Sequence, residues 1–285
     1  MGMPDDALLE KNLERLMRFR LLDDTFMRQV FKDDLPLVQH VLRIITGLVD
    51  LTLLRMETQR DLKRLAGSHS VMLDVWGKDG DGTQYDLEVQ TGDKLDPLRF
   101  RYYGSCMDIE ALPADADYSK LPQRWLVVVL ERDPEGPERA LRHYRMRESN
   151  GEKLGDGVHL LYANAAYRGD DPLGSLMRDF CESDPDKIRD GMLRERVQYF
   201  KRNPEGVKEM CRISEEIFNE GKAEGLEQGI EQGIEQGLEQ RLLDNIRKLV
   251  ANLGMSVLDA FDALEVPEGD RERYTAMLRE QRPSL

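Results

Sequence analysis

The sequence predicts an α/β protein, a sheet flanked by helices, followed by one long helix and a short helical tail. Three observations carry that expectation. Short runs of strand character lie between residues 51 and 90, the apolar run WLVVVLE follows at 125–131, and from Pro172 onward the spacing is helical around a four-residue repeat.

The elements follow in order. Leu9, Leu13, Leu16, Met17 and Leu21 recur at helical spacing within residues 1–22, and the run then continues as LDDTFMRQVFKDD. A second apolar run, LPLVQHVLRIITG, stops at Gly47, since glycine readily takes the left-handed conformation that closes a helix. Two helices are thus expected before the sheet. LTLLRM (51–56), SVMLDVW (70–76) and TQYDLEVQ (83–90) read as strands. The last two are joined by GKDGDG, whose glycines and aspartates favour a tight hairpin. RFRYYGSCMDIEAL, after Pro97, returns to helical spacing. WLVVVLE is apolar on both faces and suits a central, covered strand. HLLYAN (159–164) is a further strand and HYRMRE (143–148) a weaker one.

This order divides the chain into a main domain over 1–203, a long helix over 204–253 and a small helical segment over 254–285. The long helix holds EGLEQGIEQGIEQGLEQ, with glycine at 221, 225, 229, 233 and 237 and Leu or Ile at 226, 230, 234 and 238. A four-residue repeat advances about 40° per step on a 3.6-residue helix, so both stripes wind slowly round the axis. Five glycines would cost an isolated helix about 1 kcal/mol each. Two readings stay open, a close helix-to-helix contact that assembles copies of the chain and a solvated, glutamate-rich spacer.

Composition excludes several classes. The 285 residues include 41 basic and 55 acidic side chains, a net charge of −14, with 40% apolar and 34% charged residues. A core of useful size is available, and no stretch reaches the roughly 18 consecutive apolar residues of a membrane span. The acidic start of the chain does not resemble a secretory signal, and a cytoplasmic protein is expected. Cys106, Cys181 and Cys211 lie far apart without metal or disulfide spacing, and His40, His69, His143 and His159 read as isolated. Net acidity argues against general coating of nucleic acid, which depends on Lys and Arg. The excess is uneven: residues from 205 onward carry 18 acids and 10 bases, leaving 37 and 31 before them.

Candidate chemistry lies between Asp74 and Gln90. Alternation places Asp86, Glu88 and Gln90 on one face of a strand and Tyr85, Leu87 and Val89 on the other. The hairpin can bring Asp74 beside Glu88. Two carboxylates on adjacent strands offer the hard oxygen donors that Mg²⁺ prefers, with room for water and phosphate. That is the minimum for metal-assisted phosphodiester hydrolysis. Acidic alternation by itself equally describes a solvated sheet face.

The order of helix, three strands carrying Asp74 and the Glu88-x-Gln90 triplet, Arg/Tyr-rich helix and buried strand resembles the core of the PD-(D/E)XK restriction-endonuclease-like superfamily. The segments DDTFMRQVFKDDLPLVQHVLRIITG, TQRDLKRLAGSHSVMLDVWGKDGDGTQYDLEVQ, RFRYYGSCMD and FKRNPEGVKEMCRISEEIFNEGKAEG resemble the PD-(D/E)XK nuclease family transposases, the recombination-promoting nuclease (Rpn) group. The likeness covers about residue 20 to the glycine repeat. It implies a mixed sheet flanked by helices, Asp74 and Glu88 as ligands of Mg²⁺ with Mn²⁺ as a substitute, and Gln90 where the superfamily has its catalytic lysine. Leu73 stands in place of the motif proline. The implied activity is a magnesium-dependent DNA endonuclease, transposase-like and assembled as a homo-oligomer through the C-terminal helix, without a membrane partner.

Neighbouring residues complete the expectation. Lys94, Arg99 and Arg101 supply positive charge that Gln90 lacks, and Tyr102 or Tyr103 shares a helix face with Arg99, an arrangement suited to phosphate and bases. Ion pairing with surrounding acids is the plainer role of these arginines. Asp23 and Asp24 are expected to cap a helix, with Asp24 as an additional metal candidate, and Asp86 as another. Trp76 and Trp125 are expected in the core. The rival reading is a nuclease-derived interaction module that has lost turnover through Gln90.

Overall fold

The computed structural model describes residues 6–62, 71–92 and 95–280. Three helices precede the sheet, α1 (Asp6–Arg18), α2 (Asp24–Phe31) and α3 (Leu35–Thr46), where two were expected. Leu21 and Leu22 extend the apolar pattern but are buried in a turn. The second break follows from the chain's own signals. Asp33 takes a left-handed φ of 57°, the Asp34 carboxylate accepts the Leu37 N–H, and Pro36 fits only a first helical turn. Gly47 closes α3 at φ 73°.

Six strands follow: β1 (Leu53–Asp61), β2 (Met72–Asp79), β3 (Gln84–Gln90), β4 (Arg124–Leu130), β5 (Leu141–Tyr144) and β6 (Val158–Asn164). α4 (Pro97–Ala111) joins β3 to β4. The sheet order is β1-β2-β3-β4-β6-β5. β1, β2 and β3 pair antiparallel, β3, β4 and β6 parallel, and β5 antiparallel to β6, so the sheet is mixed. β5 lies earlier than the expected 143–148 because Arg145 and the residues after it leave the ladder for a loop bridged by Arg147 and Lys153.

Register sorts side chains by face. Leu126, Val128 and Leu130 of β4 pack with Tyr162 of β6 and Phe100 of α4. The partners of those three β4 residues on β3 are Asp86, Glu88 and Gln90, so α4 covers a row that is apolar on one strand and polar on the next. Trp76, with Met107 of α4, continues this layer and gives its indole N–H to Gln84. Both tryptophans are buried, as expected.

Helices α5 (Pro172–Cys181) and α6 (Gly191–Arg202) follow, then α7 (Pro204–Leu253), α8 (Val257–Ala263) and α9 (Glu268–Glu280). The chain forms two compact units that divide between Arg212 and Ile213, within α7 rather than at its start. In the second unit Ile246 packs with Ala260, Phe261 and Val266, and Ser256 and Asp259 cap α8 reciprocally. Upstream on the same helix Leu226, Ile230, Ile234 and Leu238 are 55–63% exposed. No described helix is long and apolar enough to cross a membrane.

Candidate active site

The β2–β3 hairpin turns at Gly82, φ 90°, where the Asp79 carboxylate accepts the Asp81 and Thr83 N–H groups. It sets a register in which Val75 lies against Leu87 and Trp76 against Asp86. The paired residues end there. At the next position the Asp74 N–H donates to Glu88 Oε1 at 3.1 Å, a side-chain bond in place of a ladder bond. The two carboxylates therefore sit together where β2 and β3 part, toward the C-terminal end of the parallel strands. Open α/β sheets place ligands at that end.

Asp74, Asp86 and Glu88 are 7%, 0% and 1% exposed, which a carboxylate tolerates only with compensation. Compensation is partial. Arg28 of α2 stands 3.5 Å from Asp74 Oδ1 while also pairing with Asp24 at 3.0 Å. Arg99 of α4 reaches Glu88 Oε2 at 3.7 Å, its Nε donating to Tyr103 Oη at 3.0 Å. Neither Asp86 oxygen accepts an N–H or hydroxyl from the protein.

Electrostatics follow from this placement. Burial, then the charges of Glu88 and Asp24, push the Asp74 carboxyl up to about 9 against the pull of Arg28. Burial, then Glu88 and Asp74, raises Asp86 well above the ordinary carboxylate range. Burial also raises Glu88, opposed by the Asp74 N–H and Arg99. Both Asp86 oxygens are buried without a hydrogen-bond partner among the described residues, so burial and the neighbouring carboxylates act on it unopposed except by Arg99. Burial works against the Arg99 charge, but Tyr103 and Glu88 more than offset it and hold its pKa above the usual value.

No family model, curated protein or solved structure matches the chain.

The structure brings Asp74, Asp86, Glu88, Asp24 and Arg99 into one cluster. Gln90 ends the same strand face, with its carbonyl accepting the Glu131 N–H. Arg101 is exposed on α4, roughly 200° around the helix from Arg99. Tyr102 packs with Trp76 and Met107, and Tyr103 is the tyrosine that holds Arg99. Lys94 lies outside the described residues, as does His69. Asp23 occupies the N-cap position of α2 but makes no side-chain cap, because its carboxylate accepts the Arg20 N–H.

Arg28 was not singled out from sequence. Its signal was the Asp24–Arg28 spacing of four, an ion pair on one helix face. His143 and His159, read as isolated, share a hydrogen bond at 2.9 Å, and His159 stacks on Trp125 with centroids 3.8 Å apart. Strand pairing alone brings them together, since they lie 16 residues apart.

Among the described residues no group of three or more His, Cys, Asp or Glu is arranged to hold a metal ion. The donor chemistry suits a two-carboxylate site. Asp74 and Glu88 offer hard oxygen donors to a cation of the magnesium class, which needs few protein ligands, and both Asp86 oxygens are buried without a hydrogen-bond partner among the described residues.

Proposed function

We propose that the chain is a magnesium-dependent DNA endonuclease with a PD-(D/E)XK-type core. The observation that carries this reading is the Asp74–Glu88 pair, two buried carboxylates joined through the Asp74 N–H where their strands separate. Asp74 and Glu88 would hold the cation, with Mn²⁺ as a substitute. When bound, the ion supplies charge to the phosphoryl oxygens and acidity to a water.

The remaining roles belong to side chains. Gln90 carries an amide that orients water or a phosphate oxygen by hydrogen bonding but adds no charge. Arg99, held over the Tyr103 ring at 4.9 Å and 3.7 Å from Glu88, would grip the phosphate. Asp86, on the same strand face as Glu88, would be an additional or outer ligand of the cation. Arg28 offsets Asp74 until a cation does.

A second reading is favoured by the exposed Leu226, Ile230, Ile234 and Leu238 of α7, an apolar stripe suited to a protein partner or a second copy of the chain. On that reading the sheet is a scaffold. Purified protein incubated with supercoiled plasmid and Mg²⁺ or Mn²⁺ decides between them. Nicking or linearisation that disappears in both Asp74→Ala and Glu88→Ala supports the nuclease. Absence of cleavage by folded wild-type protein supports the interaction module.

A further inference from the structure

A cavity of about 510 Å³ opens where β6 meets α5, walled by Arg168, Arg178, Lys187 and Arg189 with Asp179, Glu182 and Cys181. Four cations face two acids in a chain whose net charge is −14. The acids are already engaged. Asp179 is 1% exposed and accepts the N–H groups of Arg189 and Asp190, both at 2.9 Å. Glu182 accepts the Asp184 N–H at 2.9 Å.

Two of the guanidinium groups are fixed from behind. Arg168 Nη1 donates to the carbonyls of Ala165 and Tyr167 at 2.5 and 2.8 Å. Arg178 Nη2 donates to the carbonyls of Arg168 and Gly169 at 2.5 and 3.1 Å. A guanidinium has five N–H donors in a rigid fork, so each retains donors for the cavity in an orientation its backbone contacts have set. Fixed guanidinium forks recognise phosphate oxygens.

The cavity lies at the same end of the sheet as the carboxylate pair. Glu131 N–H bonds to the Gln90 carbonyl and Ala165 N–H to the Leu130 carbonyl, so the ends of β3, β4 and β6 are contiguous. Two strand spacings of about 4.8 Å separate β3 from β6, roughly 10 Å. The intervening acid, Glu131, is taken by the Gly92 N–H at 3.1 Å and by Arg20 at 2.9 Å.

We propose that this cavity is a phosphate-binding site that grips the DNA backbone to one side of the Asp74–Glu88 pair. It rests on the nuclease reading for its ligand but has its own test. Lys187 and Arg189 are exposed, Lys187 pairing with Asp184 at 3.5 Å, and the bonds that hold Arg168 and Arg178 involve neither side chain.

The experiment measures fluorescence anisotropy of a labelled duplex with full-length Lys187→Glu/Arg189→Glu protein and wild type, in chelator, from 50 to 200 mM salt. A Lys187→Gln/Arg189→Gln protein serves as a milder second variant, and thermal melting with inorganic pyrophosphate runs beside both. The expected result is at least about 10-fold weaker binding for the charge reversal and a log–log salt slope shallower by about 2, one unit per lost phosphate contact. Pyrophosphate should compete with DNA for wild type and stabilise only wild type. Unchanged affinity and slope in both variants overturn the site, and do so without touching the nuclease reading if wild type still nicks plasmid. Weakened binding by the variants of a wild type that never cleaves upholds the site and removes the nuclease. Pyrophosphate stabilisation that needs Lys187 and Arg189, in a protein that binds no DNA, overturns the DNA assignment in favour of a small phosphate compound.

Discussion

Asp74 spends its backbone N–H on the carboxylate of Glu88, 3.1 Å away, at the point where the β2–β3 pairs end. One residue thus supplies a carboxylate to the cluster and anchors the other carboxylate. The arrangement separates two kinds of substitution. Replacing the Asp74 side chain keeps the N–H and the position of Glu88, whereas replacing Glu88 leaves a buried N–H without its acceptor.

A divalent cation should stabilise the wild type by relieving the crowding of Asp74 and Glu88. At 100 times its dissociation constant a bound ion adds about 2.7 kcal/mol. Thermal melting in Mg²⁺ or Mn²⁺ against chelator should show a rise of several degrees that Asp74→Asn and Glu88→Gln abolish. An equal rise in all three proteins would place the ion elsewhere.

The histidine pair predicts a separate response to acid. Burial, then His143 and Arg145, lowers His159 from 6.5 to about 4, and His143 is lowered first by burial and then by Arg145 and Arg147. A depressed pKa means that the unfolded chain takes up protons first. The neutral pair's contribution is therefore complete above pH 6.5 and is lost as pH falls toward 4. His159→Gln should flatten the melting temperature between pH 7 and pH 4 relative to wild type. Parallel profiles for the two proteins would count against a role for the pair.

Gly174 sits where α5 meets the loop after β6. A Cβ there would come within 2.1 Å of the Gly169 carbonyl oxygen, a backbone atom with little room to yield. The same loop positions Arg168 and Arg178. Gly174→Ala should destabilise the fold by about 2 kcal/mol or more in urea unfolding. Gly225→Ala, with no atom within 4 Å of the added methyl, should instead stabilise α7 by up to about 1 kcal/mol.

Lys201 is 4% exposed, and its ammonium donates to the carbonyls of Met17, Phe19 and Ser183 at 3.2, 2.6 and 2.5 Å. Burial pulls its pKa down to about 8, so at neutral pH it keeps its charge and all three bonds. Lys201→Met fills the space but strands the carbonyls, and should cost about 3 kcal/mol in urea unfolding at pH 7. A loss under about 1 kcal/mol would mean that water replaces the ammonium there.

These contacts mark where sequence stops being informative. WLVVVLE could be placed at the centre of the sheet because a strand apolar on both faces has nowhere else to go. GKDGDG announced its turn through φ values only glycine takes easily, alternation put Asp86, Glu88 and Gln90 on one face, and the hairpin brought Asp74 beside Glu88. The split of the first helical run was hidden because Leu21 and Leu22 stay buried through the turn. Asp23 looked like a cap, but Arg20 sits close enough to claim its carboxylate. The complete burial of Asp86 and the approach of Arg28 depend on α4 and α2 closing over the strand ends, which local pattern does not encode.

The exposed stripe of α7 carries the last prediction. Leu226, Ile230, Ile234 and Leu238 lie four residues apart with glycine before each, so a second helix could approach closely along the stripe. Assembly of copies through α7 would bring two Asp74–Glu88 sites into one particle, as cutting both strands of a duplex favours. Light scattering after size exclusion should give a multiple of 32.9 kDa for the full chain and a single copy for a chain ending at Asn219. Ile230→Lys/Ile234→Lys should reproduce the single copy while leaving the first unit's melting unchanged, because both side chains are more than half exposed. An unaltered particle size in both would assign the repeat to a solvated spacer, and double-strand cutting, if observed, would then have to proceed by two independent nicks.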